Sequence, residues 1–146
     1  MRIDHDTLVI VLDGGKMLLF RNDGDADYPN LQVEEALENA NPANRDQHTD
    51  APGRAFASVG SARSAVSETD FHQQAEHQFA ADAVEQLNRR ALANDYERLI
   101  VVAPPAVLGE MRKHYSKALS ARLVGEIGKD LTGHPATDIE KAISAH

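Results

Sequence analysis

The run from Leu99 to Ala103 (LIVVA) constrains the fold more than any other stretch of this chain. Every residue in it is apolar, and Pro104 and Pro105 follow at once. A continuous apolar run of this length is typical of a strand that is covered on both faces, as in parallel sheets. Proline lacks the donor that a strand needs, but it suits the first turn of a helix. The sequence therefore predicts a central strand, a rigid turn and a helix.

The front of the chain predicts a β-hairpin. Two apolar runs, residues 7–12 (TLVIVL) and 16–20 (KMLLF), flank the turn Asp13-Gly14-Gly15. Asp-Gly between two such runs is the strongest short-range hairpin signal, and the glycines suggest positive φ angles in the turn. Residues 31–37 (LQVEEAL) alternate weakly, so a third antiparallel strand is favoured over a short helix.

The middle of the chain predicts a long loop followed by a long helix. Residues 39–67 show no periodicity and contain two prolines and two glycines, and a loop of this length is a site candidate in itself. A helix start is then indicated at Ser67, where Asp70 completes the spacing of an N-terminal cap. Apolar residues recur every four positions from Phe71 to Ala91, which predicts a helix to about Ala93 with one face on a sheet.

The remaining elements complete an α/β fold. Residues 123–127 (LVGEI) predict a last strand, and Thr137 caps a predicted short helix that ends at Ser144. Antiparallel strands followed by β-α-β-α units indicate a mixed β-sheet with helices on both faces. We expect residues 1–146 to form a single domain.

The composition excludes several function classes. The chain has no cysteine, so disulfides, thiolate catalysis and cysteine-ligated metals are excluded. Its net charge is -8, and residues 1–50 hold 11 acids against 4 bases, which disfavours general nucleic-acid binding but permits a local basic patch. Because neither a signal peptide nor a long apolar run is visible, we expect a cytoplasmic protein without membrane association. No cofactor and no metal are indicated.

Several segments, in this order along the chain, resemble the bacterial host attachment protein family. They are residues 7–20 (TLVIVLDGGKMLLF), 50–65 (DAPGRAFASVGSARSA), 76–87 (EHQFAADAVEQL), 99–115 (LIVVAPPAVLGEMRKHY) and 124–135 (VGEIGKDLTGHP). That family, named for attachment to host cells, is similar to the middle domain of eukaryotic and archaeal peptide-chain release factors. The resemblance implies a ribonuclease H-like, release-factor middle-domain-like fold.

The resemblance also implies a function. In release factors, the loop before the long helix carries Gly-Gly-Gln, which enters the peptidyl-transferase centre of the ribosome. The corresponding residues 50–70 contain no Gly-Gly-Gln, and Gly14-Gly15-Lys16 lies in the hairpin turn instead. We therefore predict a non-enzymatic module that contacts RNA, a ribosome or an associated protein, with any role in host-cell attachment being indirect.

The arginines of the long loop are the favoured binding residues. Arg54 and Arg63 lie there beside Gly53 and Gly60, and arginine is the side chain best suited to bidentate contacts with phosphate or carboxylate. Basic residues elsewhere extend this prediction. The full predicted set is Pro52, Gly53, Arg54, Gly60, Arg63, Arg112 and Lys129.

Two other functions stay open as alternatives. Asp13, Asp82 and Asp130 are the candidate acidic site of a metal-dependent, nuclease-like hydrolase, in which carboxylates hold two metal ions. An adhesion or scaffold protein is the other alternative, and it requires export. The sequence leaves both the oligomeric state and the physiological partner open.

Two further features are better explained by structure than by ligand binding. At the Pro104-Pro105 junction, helix amides would attract an anion, but the two prolines remove two donors. His72 and Glu76 have the i, i+4 spacing of a proton-transfer or metal-ligand pair, yet no third ligand is evident. We favour a rigid turn for the first and an exposed polar pair for the second.

Overall fold

The computed structural model describes residues 1–39 and 54–146, and within residues 54–69 it describes the backbone only. Its strands are β1 (Leu8–Leu12), β2 (Lys16–Asn22), β3 (Leu31–Glu38), β4 (Leu99–Val102) and β5 (Leu123–Ile127). Its helices are α1 (Arg54–Leu92), α2 (Pro105–Arg112), α3 (Lys117–Arg122) and α4 (Ala136–Ala145).

The strands form one mixed sheet in the order β3-β2-β1-β4-β5. β1 pairs antiparallel with β2, and β2 pairs antiparallel with β3. β1 also pairs in parallel with β4, which pairs in parallel with β5. The predicted hairpin and third strand are confirmed, and the apolar run that begins at Leu99 lies inside the sheet as expected.

The side chains of β1 alternate between two hydrophobic cores. Leu8, Ile10 and Leu12 share one core with residues of α1, α2 and α3. Val9 and Val11 share the other with residues of α4. All five side chains are fully buried, and burial of such a side chain stabilises a fold by about 1.5–3 kcal/mol. Helices therefore cover both faces of the sheet, which confirms the predicted fold class.

The hairpin turn is held by an aspartate side chain rather than by glycine conformation. Asp13 Oδ1 accepts hydrogen bonds from the backbone N–H groups of Gly15 at 2.7 Å and Lys16 at 2.6 Å. Neither glycine of the turn has a positive φ, so that expectation was wrong. Gly14 provides space instead, because a Cβ at this position would lie 2.7 Å from Cδ of Glu76 on α1. The tip of the hairpin thus lies against α1.

α1 begins at Arg54, well before the predicted helix start at Ser67. The predicted loop is therefore wrong over residues 54–67, and its earlier part, residues 40–53, lies outside the described residues. Residues 54–67 contain four alanines and no proline, and alanine is the best helix former. Gly60 costs a helix interior only about 1 kcal/mol, which a helix of this length offsets.

The described side chains of α1 are buried only in its second half. The buried apolar residues there are Ala80, Ala83, Val84, Leu87 and Ala91. The predicted apolar stripe is confirmed at Ala83, Leu87 and Ala91, but Phe71 at its predicted beginning is 46% exposed. The helix is therefore anchored to the sheet near its C-terminal end.

The elements after β4 confirm some predicted boundaries and correct others. α2 has Pro105 in its first turn, as expected. α3 was not predicted, and Ser116 caps it by accepting a hydrogen bond from Leu119 N at 3.1 Å. α4 begins after Pro135 without a side-chain cap. The predicted cap at Thr137 is therefore wrong, because Thr137 already lies inside the helix.

A β-bulge in β3 turns two consecutive glutamates toward α1. The register between β2 and β3 shifts between Leu19 and Phe20, which leaves Glu34 without a residue opposite it. Bulges redirect side chains in this way. As a result Glu35 accepts a hydrogen bond from Gln86 Nε2 of α1 at 2.5 Å, while Glu34 also reaches α1.

Glu34 belongs to a closed ring of four charged side chains, called the charge ring below: Arg21, Glu34, Arg90 and Asp95. Glu34 lies 2.7 Å from Arg21 and 2.9 Å from Arg90. Asp95 Oδ2 accepts hydrogen bonds from Arg21 Nη2 at 3.1 Å and from Arg90 Nε at 2.7 Å. The hydrogen bond from Arg21 is the main cause that lowers the pKa of Glu34. Burial raises the pKa of Asp95, but bonds from both arginines outweigh it and lower that pKa as well.

The charge ring predicts an acid-sensitive contribution to stability. The pKa values of Glu34 and Asp95 in the folded protein lie below the ordinary values of 4.5 and 3.8. The stabilisation is therefore complete when the pH is above the ordinary values, and it is lost as the pH falls through the pKa values of the folded protein. We expect Glu34→Gln to lower the free energy of unfolding by about 1 kcal/mol at neutral pH, since the ring is partly exposed. Urea unfolding at neutral pH and at about pH 3 measures this.

The matched control for that experiment is Asp82→Asn, which changes an exposed carboxylate that accepts a hydrogen bond only from Gln78 among the described residues. It should alter stability little at either pH. A Glu34→Gln deficit that is equally large at both pH values would contradict the ring's acid sensitivity.

Asn22 is a buried polar hub beside the β2–β3 connection. Its Nδ2 donates to Ile3 O at 2.8 Å, and its Oδ1 accepts from Gly24 N at 2.9 Å and Asn30 N at 2.8 Å. Because buried amides must be satisfied, these bonds fix the path of the connection. Gly24 is packed so closely that a Cβ there would overlap the backbone carbonyl oxygen of Tyr28.

Gly24→Ala is expected to destabilise the fold by about 1–3 kcal/mol, because the added methyl group meets backbone atoms that cannot move without breaking the Asn22 bonds. The matched control is Gly133→Ala, where an added Cβ would meet nothing within 4 Å. Urea unfolding of both variants measures the difference. Equal stability of the two would show that the connection adapts freely.

Candidate functional site

The candidate site lies at the carboxyl ends of the parallel strands. Asp13 follows β1, Pro104 follows the apolar run of β4, and residues 128–130 follow β5. Chain connections leave β1 and β4 in opposite directions across the sheet, which makes this edge a topological switch point. Ligands of open α/β sheets bind at such points, which makes this edge the candidate site.

Thr132 joins two of the predicted acids at this edge. Its hydroxyl lies 2.7 Å from Asp13 Oδ2 and 2.9 Å from Asp130 Oδ1. Thr132 is only 8% exposed, and a hydroxyl has one hydrogen, so it donates to one carboxylate at a time. The structure therefore places Asp13 and Asp130 on either side of a nearly buried hydroxyl group.

The third predicted acid, Asp82, does not join them. It is exposed on α1, where it accepts a hydrogen bond from Gln78 at 2.8 Å. The described residues contain no group of three or more histidines, aspartates or glutamates arranged to hold a metal ion. In addition, Asp13 Oδ1 already accepts two backbone hydrogen bonds in the hairpin turn. The arrangement thus fixes the hairpin tip to the loop after β5, and it does not assemble the three acids.

Thr132→Val tests that structural role. The change removes the hydroxyl between two carboxylates, so we expect a loss of about 1–3 kcal/mol in the free energy of unfolding. Thr132→Ser keeps the hydroxyl and should retain most of the stability. Urea unfolding of the two variants separates hydrogen bonding from packing, because valine keeps the threonine methyl group and serine keeps the hydroxyl. A loss confined to Thr132→Ser would assign the effect to the methyl group and contradict the hydrogen-bonding role.

The predicted loop residues lie partly on α1. Pro52 and Gly53 lie outside the described residues, whereas Arg54, Gly60 and Arg63 belong to the described backbone of α1. Arg54 and Arg63 are therefore separated along one helix by about 14 Å, at 1.5 Å per residue. We expected a single loop to carry both arginines. They lie instead in the first turns of a long helix.

Arg112 forms an ion pair, whereas Lys129 forms none with the described residues. Arg112 donates to Glu126 Oε1 from Nη2 at 2.8 Å and from Nε at 3.1 Å, and Tyr115 donates to Glu126 Oε2 at 2.7 Å. Burial raises the pKa of Glu126, but the bonds from Arg112 and Tyr115 outweigh it and lower that pKa. Burial also raises the pKa of Tyr115. Lys129 is exposed next to Asp130 at the candidate edge.

The Pro104-Pro105 junction and the pair His72 and Glu76 were both interpreted as structural. Leu108 N donates to the carbonyl of Pro104 at 2.8 Å, so α2 starts directly at the proline junction. His72 is half-buried, and the exposed Glu76 lies against Gly14 at the hairpin tip. The first feature is therefore a strand-to-helix turn, and Glu76 of the second packs against the hairpin tip.

Sequence reasoning missed a cluster around Glu110 of α2. Its carboxylate lies 3.1 Å from Lys113 Nζ, 3.1 Å from His114 Nε2 and 3.7 Å from His77 Nδ1. The hydrogen bond to His114 is the main cause that lowers the pKa of Glu110. The i, i+3 and i, i+4 spacing of the first two partners is visible in the sequence. His77 belongs to α1, so only the structure shows that it joins them.

Comparison with known proteins assigns the family. A profile of bacterial archaeo-eukaryotic release factor family 12 matches residues 6–143. Since the match covers nearly the whole sequence, the chain belongs to this family. The release-factor part of the resemblance is thereby confirmed, and the matched family's description carries no reference to host attachment.

A relative with a curated record is an uncharacterized protein of Rickettsia prowazekii (strain Madrid E). It is 36% identical over 73 residues, which is 48% of this chain and 49% of that protein. The alignment thus spans about half the length of the relative, and its name adds no activity. Separately, no helix in the described part of the chain is long and apolar enough to cross a membrane.

Proposed function

We propose that this protein is a cytoplasmic, non-enzymatic binding module that contacts RNA or the ribosome through the start of α1 and the residues just before it, Pro52 to Arg63. The observation that carries the proposal is the match to a release factor family over residues 6–143. The matched region includes residues 50–70, which on the resemblance would correspond to the ribosome-contacting loop of release factors.

The length of α1 supports the proposal. α1 has 39 residues, which at 1.5 Å per residue is about 58 Å. Its described core residues begin at Ala80, with Phe79 partly buried before it. No side chain between residues 70 and 78 is buried. From residue 70 to residue 78 the helix thus extends more than two turns beyond its described contact with the sheet.

The local charge of this segment also supports the proposal. Residues 51–67 contain two arginines and no acid, in a chain whose net charge is -8. The first turn of α1 has no acidic residue, so nothing within it offsets the positive end of the helix dipole. Arg54 adds a positive charge at the same end, which favours an anionic partner such as phosphate.

The alternatives have less support. A hydrolase would need Asp13 and Asp130 free to bind metal or water, but Thr132 and the hairpin backbone already contact them. An adhesion or scaffold role has no described feature in its favour. We therefore propose that any effect on attachment to host cells follows indirectly from a role in translation.

Co-sedimentation with ribosomes from the organism's own lysate tests the proposal. We expect the wild-type protein to sediment with ribosomes at low salt, and an Arg54→Ala, Arg63→Ala double variant to be largely lost from the pellet. Moderate salt should weaken the wild-type interaction, since phosphate contacts are screened.

A matched control removes two arginines elsewhere. Arg2→Ala, Arg89→Ala changes the net charge by the same amount at exposed positions, one of them on α1 itself. This variant should sediment like the wild type. Absence of the wild-type protein from the ribosome fraction at low salt would contradict the proposal. Equal loss of both variants from the pellet would show that overall charge, and not the start of α1, determines binding.

A further inference from the structure

The segment from Pro105 to Arg122, which forms α2 and α3, is basic within an acidic chain. It contains four bases and one acid, against a net charge of -8 for the whole protein. Three of the bases, Arg112, Lys113 and Lys117, are exposed. We call these three side chains the basic face.

The carboxylates near the basic face lie beneath its cations. Glu110, which pairs with Lys113, is 13% exposed in its side chain, whereas Lys113 is 69% exposed. Glu126, which pairs with Arg112, is 19% exposed, whereas Arg112 is 55% exposed. Solvent therefore meets the positive groups first. The same carboxylates hold the cationic ends in place, which lowers the entropy lost when a ligand binds them.

The cations keep donors for a ligand. Arg112 uses Nε and Nη2 on Glu126, so Nη1 is free of that ion pair. The Lys113 ammonium has three donors and makes one hydrogen bond to Glu110 among the described residues. Lys117 is exposed and makes no ion pair within the described part of the chain. Each of the three can therefore donate to an anionic oxygen.

Arg122 adds positive charge behind the face. Its guanidinium donates to Tyr96 O at 2.9 Å, to Ala118 O at 2.9 Å and to Asn94 Oδ1 at 2.8 Å. All three acceptors are neutral oxygens, and no carboxylate bonds to this arginine among the described residues. Arg122 therefore adds a positive charge to the segment without an ion pair to a described carboxylate.

The chemistry of the face favours phosphate over bases. The aromatic residue of the segment, Tyr115, is half-buried, and its hydroxyl donates to Glu126. It is thus not available as a stacking platform, which is what single-stranded base recognition uses. Contacts of cations with phosphate position the partner and carry no sequence information.

We propose that the basic face of α2 and α3 binds the phosphate backbone of RNA without sequence preference. The inference rests on the proposed function in that RNA is the partner, but it concerns a surface separate from the start of α1. Each cation would contact one phosphate, so the face contributes about three phosphate contacts.

Fluorescence anisotropy with a labelled oligouridylate over a salt series tests this proposal on the full chain. Replacing Arg112, Lys113 and Lys117 by glutamine should weaken binding at low salt. It should also reduce the slope of log affinity against log salt by about 2, at roughly 0.7 per phosphate contact for single strands. An oligocytidylate should bind the wild type equally well.

The matched control replaces three exposed cations elsewhere, as Arg2→Gln, Arg89→Gln and Lys141→Gln. It changes the net charge equally and should keep the wild-type slope. Because Arg112→Gln also breaks the Glu126 ion pair, a Lys113→Gln, Lys117→Gln double variant is included. It leaves that pair intact and should lower the slope by about 1.4, at 0.7 per contact.

Three outcomes would overturn the proposal: no oligouridylate binding by the wild type at low salt, an unchanged slope in the double variant, or an equal loss in the control. Equally tight binding of an acidic peptide of the same charge would also overturn it, in favour of a protein partner.

The two proposals can be contradicted independently. Ribosome co-sedimentation that depends on Arg54 and Arg63 would persist if only the proposal for the basic face were wrong.

Discussion

Burial of β1 and β4 on both of their faces is the constraint on which the rest of the structure depends. All nine side chains from Leu8 to Leu12 and from Leu99 to Val102 have no exposed surface. A sheet with such a centre must carry helices on both sides, because either uncovered face would expose apolar side chains to water. It also confines polar chemistry to the ends of the strands, which is where Asp13, Asp130 and Thr132 meet.

The sequence predicted those parts of the fold that depend on local pattern. The apolar run at Leu99, the hairpin around Asp13 and the stripe of α1 from Ala83 onward could all be inferred, since each is encoded by neighbouring residues. The start of α1 was misplaced, because the missing periodicity and the prolines and glycines of residues 39–67 suggested a loop where alanine content favoured helix.

The candidate site was less predictable than the fold. The Thr132 contact with Asp13 joins residues 119 positions apart, and no spacing rule encodes such a pair. Asp82 shows the converse error. It was predicted to join the acidic site, but it lies exposed on a helix beside Gln78. The Glu110 cluster was half visible as a helical spacing, while its third partner, His77, depends on how α1 packs against α2.

The placement of charge matters more here than its sum. A net charge of -8 argues against nucleic-acid binding, but several acids serve as internal partners of cations, as in the charge ring and at Glu110 and Glu126. Acids that lie beneath basic side chains reduce the net charge without reversing the sign of the surface above them. Overall charge therefore says little about which anions this protein meets at a given face.

The bulge at Glu34 has a consequence for how molecules of this protein meet one another. Among the described strands, β3 lies at one edge of the sheet and exposes Val33 and Leu37, and an exposed apolar edge strand favours edge-to-edge aggregation. The bulge interrupts the regular ladder of the strand, and Glu38 places a charge at its end. A second copy approaching this edge would meet mismatched hydrogen-bonding groups, so the described edge at β3 resists extension of the sheet.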